Sequence, residues 1–288
     1  MSASENNFRT LFFTTALCLV GLSACQASNF GPTETPISSF FPTDQPVSSL
    51  YETSWWQPAP GTTWHWQLSG DIDPDLDVDM VDVDLFDTDS GLIEDLHESG
   101  IAVVCYFSAG SRENWRADSN QFPDVVLGKR MAHWPDERWL DIRQIDLLAP
   151  LMTARLDLAV HKGCDGVEAD NADAYQNESG FPLTAQDQLD YNRWLADEAH
   201  ERGLSIGLKN DLAQAAALEP YFDWALNESC FAYAECEQLL PFVQAGKAVF
   251  GVEYDLTPDE FCPKANELGF SWMLKDRELD AWGKACWE

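Results

Sequence analysis

The chain has 288 residues, with 49 Asp and Glu against 17 Lys and Arg and a formal charge of −32. Such a charge excludes a nucleic-acid binder as the first reading, since it repels a polyanion and draws in a cation. With 45% apolar and 12% aromatic residues, the chain is also too hydrophobic to be disordered.

In chain order, the first feature is an apolar run from Leu11 to Leu22 behind Arg9. It is too short to span a bilayer and the right length for a secretory signal. The following Leu22-Ser23-Ala24-Cys25 resembles the lipobox of bacterial lipoproteins, so export is expected, with residues 1–24 as signal and Cys25 lipidated as a membrane anchor. Residues 25–54 are rich in Ser, Thr and Pro, contain no Lys or Arg, and read as a solvated tether. One domain then covers 55–288.

Eight strand-like runs follow: 65–68, 81–86, 102–108, 166–170, 205–210, 224–228, 248–254 and 271–276. Helix-like stretches lie between most of them, at 91–99, 150–161, 184–202 and 213–219, with glycines where helices should stop. Strand and helix in alternation predict a single-domain α/β fold, a (β/α)8 TIM barrel, with an open doubly wound sheet as the alternative.

Cys18 lies in the signal and Cys25 takes the lipid, leaving six cysteines. Six cysteines allow fifteen pairings, among which the sequence does not choose; local spacing favours Cys230 with Cys236 and next Cys262 with Cys286, while Cys105 and Cys164 read as buried free thiols. Zinc is not expected, because no CxxC or HxxxH accompanies the cysteines. The acidic stretch Asp71–Asp89 could suggest calcium, but it lacks the Gly and closing Glu of an EF-hand loop. It reads instead as a solvated loop leading into a strand.

A barrel carries its chemistry at the C-terminal ends of its strands. Those ends here hold Asp84, Tyr106, Ser108, Asp170, Asn171, Lys209, Asn210, Glu228, Glu253, Tyr254 and Lys275. Strand alternation turns Glu168, Asp170, Gly207 and Lys209 inward, and Glu253, sharing a face with Gly251, is expected to join them. A ring of carboxylates with one or two lysines suits glycoside hydrolysis, in which two acids flank one bond. Trp115, Trp134 and Trp139 could wall a cleft for sugar rings.

The runs 64–68 (WHWQL), 105–111 (CYFSAGS), 134–142 (WPDERWLDI), 163–171 (GCDGVEADN), 203–211 (GLSIGLKND) and 227–230 (NESC) resemble glycoside hydrolase family 114, the endo-α-1,4-polygalactosaminidases. The resemblance spans 55–276. It implies a (β/α)8 fold, an endo-acting enzyme on α-1,4-linked galactosamine polymers, and a catalytic Asp and Glu that carry over to Asp170 and Glu228; no cofactor is expected. A retaining mechanism is expected, with Asp170 as nucleophile and Glu228 as acid and base, its pKa raised by Glu168 and Glu253. The other nine strand-end residues and Glu168 are expected to bind a cationic polysaccharide. No metal is expected, and the protein is expected to be a monomer. A non-catalytic carbohydrate-binding surface lipoprotein and a hydrolase of another glycan are the alternatives.

Overall fold

The computed structural model describes residues 55–287; the expected signal, Cys25 and the tether lie outside them. Strands β1 (Trp64–Gln67), β2 (Met80–Asp84) and β3 (Ala102–Ser108) pair side by side and parallel. An antiparallel three-stranded sheet then interrupts the series: β4 (Ser111–Glu113), β5 (Leu127–Arg130) and β6 (Glu137–Leu140). The parallel series resumes with β7 (Gly166–Asp170), β8 (Ser205–Lys209), β9 (Trp224–Glu228), β10 (Val249–Glu253) and β11 (Ser271–Leu274). A short antiparallel β12 (Lys284–Ala285) adds to β11. The sheet order is β1-β2-β3-β7-β8-β9-β10-β11-β12, a curled sheet of the TIM-barrel type. Its two ends meet through side chains: the Trp64 indole N–H donates to the Ser271 carbonyl at 3.0 Å, and the Ser271 hydroxyl donates to the Thr62 carbonyl at 2.8 Å.

Six helices are interleaved among the described residues: α1 (Ser90–Glu98), α2 (Ile145–Lys162), α3 (Ala185–Glu201), α4 (Ala215–Leu218), α5 (Leu240–Gln244) and α6 (Pro258–Leu268). None is long and apolar enough to cross a membrane. Local chemistry fixes their ends. Thr184 with Asp187 and Thr257 with Glu260 form capping boxes before α3 and α6, each satisfying first-turn N–H groups that have no partner within the helix. Gly163 and Gly269 stop α2 and α6 at φ of 94° and 75°, a conformation that costs other residues a steric penalty.

Strand and helix do not alternate eight times over. The β1–β2 connection is a helix-free loop, because its alternating aspartates, with Pro74 and Gly70, offer no apolar face at helical spacing. Aspartates in and beyond this loop have bonding roles. Asp79 accepts from the Thr63 N–H and hydroxyl, and Asp89 caps α1. Asp84 ends β2 early by accepting from the N–H groups of Phe86 and Asp87.

Alternation sorts the apolar residues into two cores. Trp64, Trp66, Met80, Val104, Trp224, Leu226, Phe250, Val252 and Met273 fill the barrel. Val81, Val103, Phe107, Val167, Ile206, Leu208 and Trp272 face the helices. Gly207 lies beneath Trp224, and a Cβ there would sit 2.3 Å from the indole ring. This glycine lets Trp224 cross the lumen and close its floor.

Three disulfides are formed among the described residues, and one corrects the expectation of free thiols. Cys230 pairs with Cys236 and Cys262 with Cys286, while Cys105 on β3 pairs with Cys164 after α2. The parallel register that sets Val104 against Gly166 brings Cys105 and Cys164 to a Cα separation of 6.0 Å. They are 59 residues apart in sequence, a loop whose closure stabilises the fold by roughly 4 kcal/mol in chain-entropy terms.

Candidate active site

The centre of the site is Lys209, at the end of β8 with its side chain 2% exposed. Its ammonium group lies 2.5 Å from Glu168 Oε1, 3.2 Å from Asp170 Oδ1 and 3.5 Å from Glu228 Oε2, with the Trp66 ring below it at 4.7 Å. The three carboxyls come from β7 and β9, the strands flanking β8. One cation therefore serves three acids. The distances to Asp170 and Glu228 together bound the separation of those two oxygens at about 6.7 Å.

Hydroxyls and amides complete the site. The Tyr254 hydroxyl donates to Glu228 Oε1 at 2.6 Å, and the Asn210 amide donates to Oε2 at 3.1 Å. The Asn171 amide (3.2 Å) and the Tyr106 hydroxyl (3.4 Å) donate to Asp170 Oδ2, and the Asn171 amide also reaches Ser108 Oγ at 2.8 Å. Asn171, Asn210 and Ser229, each directly after a strand that feeds the site, take φ of 61°, 53° and 67°. Such a turn is uncommon outside glycine and best tolerated by Asn; it lets the chain leave the barrel sharply at the mouth.

Beneath the site, Asp82 is fully buried, and neither of its carboxyl oxygens nor Glu168 Oε2 faces a conventional donor. A proton on Asp82 resolves this by making it the donor to Glu168. Burial first, then the Glu168 charge, raises the Asp82 carboxyl well above its usual range. Burial also raises Glu168, opposed by Lys209.

Glu228 behaves otherwise. Burial alone would raise it, but Lys209 and the hydrogen bonds from Tyr254 and Asn210 outweigh burial and hold it below the ordinary glutamate range. This corrects the expectation that Glu168 and Glu253 raise its pKa. The Glu168 charge is engaged by Lys209. Glu253 faces out of the barrel, because its lumen-facing neighbours on β10 are Phe250 and Val252, and it accepts from the Phe231 N–H.

Two more expected residues stand apart from the cluster. Asp84 is held by the buried Arg116 guanidinium, with one bond at 2.9 Å. The Lys275 ammonium donates to the Asp280 carbonyl at 2.6 Å, and burial lowers its pKa to about 8. Of the tryptophans, Trp115 and Trp134 are 53% exposed while Trp139 is buried.

The structure adds Glu137 and Asp173. Burial first, with Asp170 among the further causes, raises Asp173 to about 6, and Glu228 lies near enough to contribute. Glu137 on β6 is raised to about 7, chiefly by burial, with Glu113 and Asp170 adding to it against the Ser111 hydrogen bond. Asp173 could have been suspected from its place three residues beyond Asp170. Glu137 lies on a strand outside the barrel series, where the strand-end rule does not look.

The model of glycoside hydrolase family GH114 matches residues 47–288. The chain belongs to this family. It is a glycoside hydrolase by that membership, and solved structures agree with the GH114 fold. Aspergillus fumigatus Ega3, in complex with galactosamine, aligns with 40% identity and a TM-score of 0.76, covering 80% of this chain and 97% of Ega3. The glycoside hydrolase domain of PelA from Pseudomonas aeruginosa aligns with 16% identity and a TM-score of 0.60, covering 77% and 97%; at that identity it supports the fold. No curated protein matches the GH114 chain.

Proposed function

We propose that this GH114 chain is an endo-acting hydrolase of α-1,4-linked galactosamine polymers, retaining in stereochemistry, with Asp170 as nucleophile and Glu228 as acid and base. The observation that carries this reading is the pair of carboxyls around one lysine at the barrel mouth. Retention needs about 5–5.5 Å between the carboxyls and inversion about 6.5–9.5 Å. The bound of about 6.7 Å between their facing oxygens, Asp170 Oδ1 and Glu228 Oε2, favours the shorter, retaining separation. The 40% identity to a protein crystallised with galactosamine and a charge of −32 both favour a cationic sugar chain.

In this mechanism Asp170 forms a bond to the anomeric carbon as Glu228 delivers a proton to the leaving oxygen. Glu228, then ionised, takes a proton from the water that releases the sugar from Asp170. Asn171 and Tyr106 orient Asp170, and Tyr254 and Asn210 orient Glu228. Lys209, Glu168, Asn210 and Tyr254 serve binding and positioning, and Ser108 acts through Asn171.

Comparing α-1,4-galactosaminan with its N-acetylated form tests the substrate. Internal cutting of the deacetylated polymer is expected, seen as rapid loss of chain length with little monosaccharide. Monosaccharide release from the start, or cutting of the acetylated polymer alone, would reject the reading.

The pH profile follows from Glu228. Its acid role needs the protonated form, so the alkaline limb of kcat/KM reports its pKa in the free enzyme. The Tyr254 bond stabilises the ionised form, so Tyr254→Phe raises that pKa and should move the alkaline limb to higher pH. A limb that stays in place, or moves to lower pH, would show that Glu228 is not the acid.

Three disulfides support an exported protein, since they persist in oxidising compartments. With residues 1–24 as signal, Cys25 as lipid anchor and 26–54 as tether, domain 55–288 would work at the cell envelope as a monomer.

A further inference from the structure

We propose that Glu137 is the binding residue that takes the ammonium group of a galactosamine unit lying beside Asp170, and so sets the preference for the deacetylated chain. The proposal rests on the substrate reading above and names the residue that enforces it.

Glu137 is 6% exposed, yet its carboxyl is only half satisfied. Oε2 accepts from the Ser111 hydroxyl at 2.5 Å. Oε1 has no donor among the described residues and is not sealed from solvent, since it is absent from the fully buried unpartnered atoms. No cation among the described residues forms an ion pair with it, although the Arg116 charge acts on it from a distance. Arg116 is engaged by Asp84, Asp87 and Glu113, and Arg155 by Asp118. A buried acid with one oxygen open and no directly bonded counterion is costly unless something arrives to pair with it.

Its position points to substrate. From Glu137 a chain of hydrogen bonds runs through Ser111 to Ser108 at 2.7 Å, to Asn171 at 2.8 Å, and from Asn171 to Asp170 Oδ2 at 3.2 Å. The open carboxyl oxygen and the proposed nucleophile thus stand at two ends of one short network. Burial, with the Glu113 and Asp170 charges, raises Glu137 to about 7 against the Ser111 hydrogen bond and the Arg116 charge; a bound ammonium would favour the charged form. An N-acetyl group carries no charge and would leave the carboxyl unpaired. Specificity built on a buried polar group left unpaired by the wrong ligand is stronger than specificity from shape alone.

The test is Glu137→Gln, which keeps an acceptor for Ser111 and removes the charge. On the deacetylated polymer kcat/KM should fall roughly ten- to a hundredfold, the loss of a charged hydrogen bond, and the fall should lie in KM. The ratio of deacetylated to acetylated turnover should fall with it, which a merely structural role would not cause. A folded variant with an unchanged ratio would overturn the proposal. Glu137→Asp, which keeps the charge but shortens the reach, should fall between the two and serves if the Gln variant does not fold. Titration with galactosamine monosaccharide, followed by NMR, separates this proposal from the substrate reading. If wild type cuts neither polymer, the substrate reading fails, and weaker galactosamine binding by Glu137→Gln still supports the binding role; equal binding rejects it.

Discussion

Asp170→Asn and Glu228→Gln should each lower kcat on galactosamine polymers by about two to four orders of magnitude, the usual contribution of a positioned proton-transfer group and its partner. The fold should survive both. Each replacement is close to isosteric, and the side chains keep 19% and 31% exposure, so neither amide is sealed without a partner. Glu228→Gln retains an acceptor for the Tyr254 hydroxyl, and Asp170→Asn retains one for Asn171. Thermal unfolding within a few degrees of wild type, with turnover lost, would assign the loss to chemistry. Near-normal turnover in either variant would reject the pair.

Lys209→Met should be the most damaging single change to the domain. It removes the cation from three carboxyls, of which Glu168 is fully buried. Deleting one partner of a buried ion pair costs about 3–5 kcal/mol. The loss should depend on pH, with a sign that can be worked out. Burial already raises Glu168 above its unfolded value, and Lys209 is what opposes the rise. Without the lysine, the folded state binds more protons than the unfolded state, so stability falls as pH rises through and above the ordinary glutamate value. Urea unfolding at pH 4.5 and pH 7 should therefore show a larger deficit at pH 7. An equal deficit at both would mean that Glu168 stays ionised without its lysine.

Much of this site was legible before the structure because its parts obey strand periodicity. Gly207 and Lys209 alternate with apolar Ile206 and Leu208, and Glu168 and Asp170 with Val167 and Ala169, so the alternation on each strand decides all four inward positions. Glu253 failed under the same rule. Glu253 shares a face with Gly251, and Gly251, like Gly207, lies against a tryptophan ring. Trp224, however, fills the lumen while Trp272 lies among the outer helices. Which side the ring occupies depends on the neighbouring strand, and a single strand does not carry that information.

The Cys105–Cys164 bridge was hidden for a related reason, since it depends on β3 and β7 pairing across 59 residues of intervening chain. Glu137 was hidden because the three-stranded insert between β3 and α2 breaks the barrel rhythm. The acidic β1–β2 loop shows the opposite case: its composition correctly pointed to a solvated loop, and composition also explains why no helix forms there.

The most direct measurement is proton NMR of wild-type enzyme mixed with deacetylated α-1,4-galactosaminan, following the reducing ends in the first minutes before mutarotation. Two carboxyls around Lys209, whose facing oxygens Asp170 Oδ1 and Glu228 Oε2 are no more than about 6.7 Å apart, predict that the first-formed ends are α. First-formed β ends would mean inversion, with Asp170 acting as the base that activates water, and no new reducing ends would contradict the galactosamine polymer as substrate.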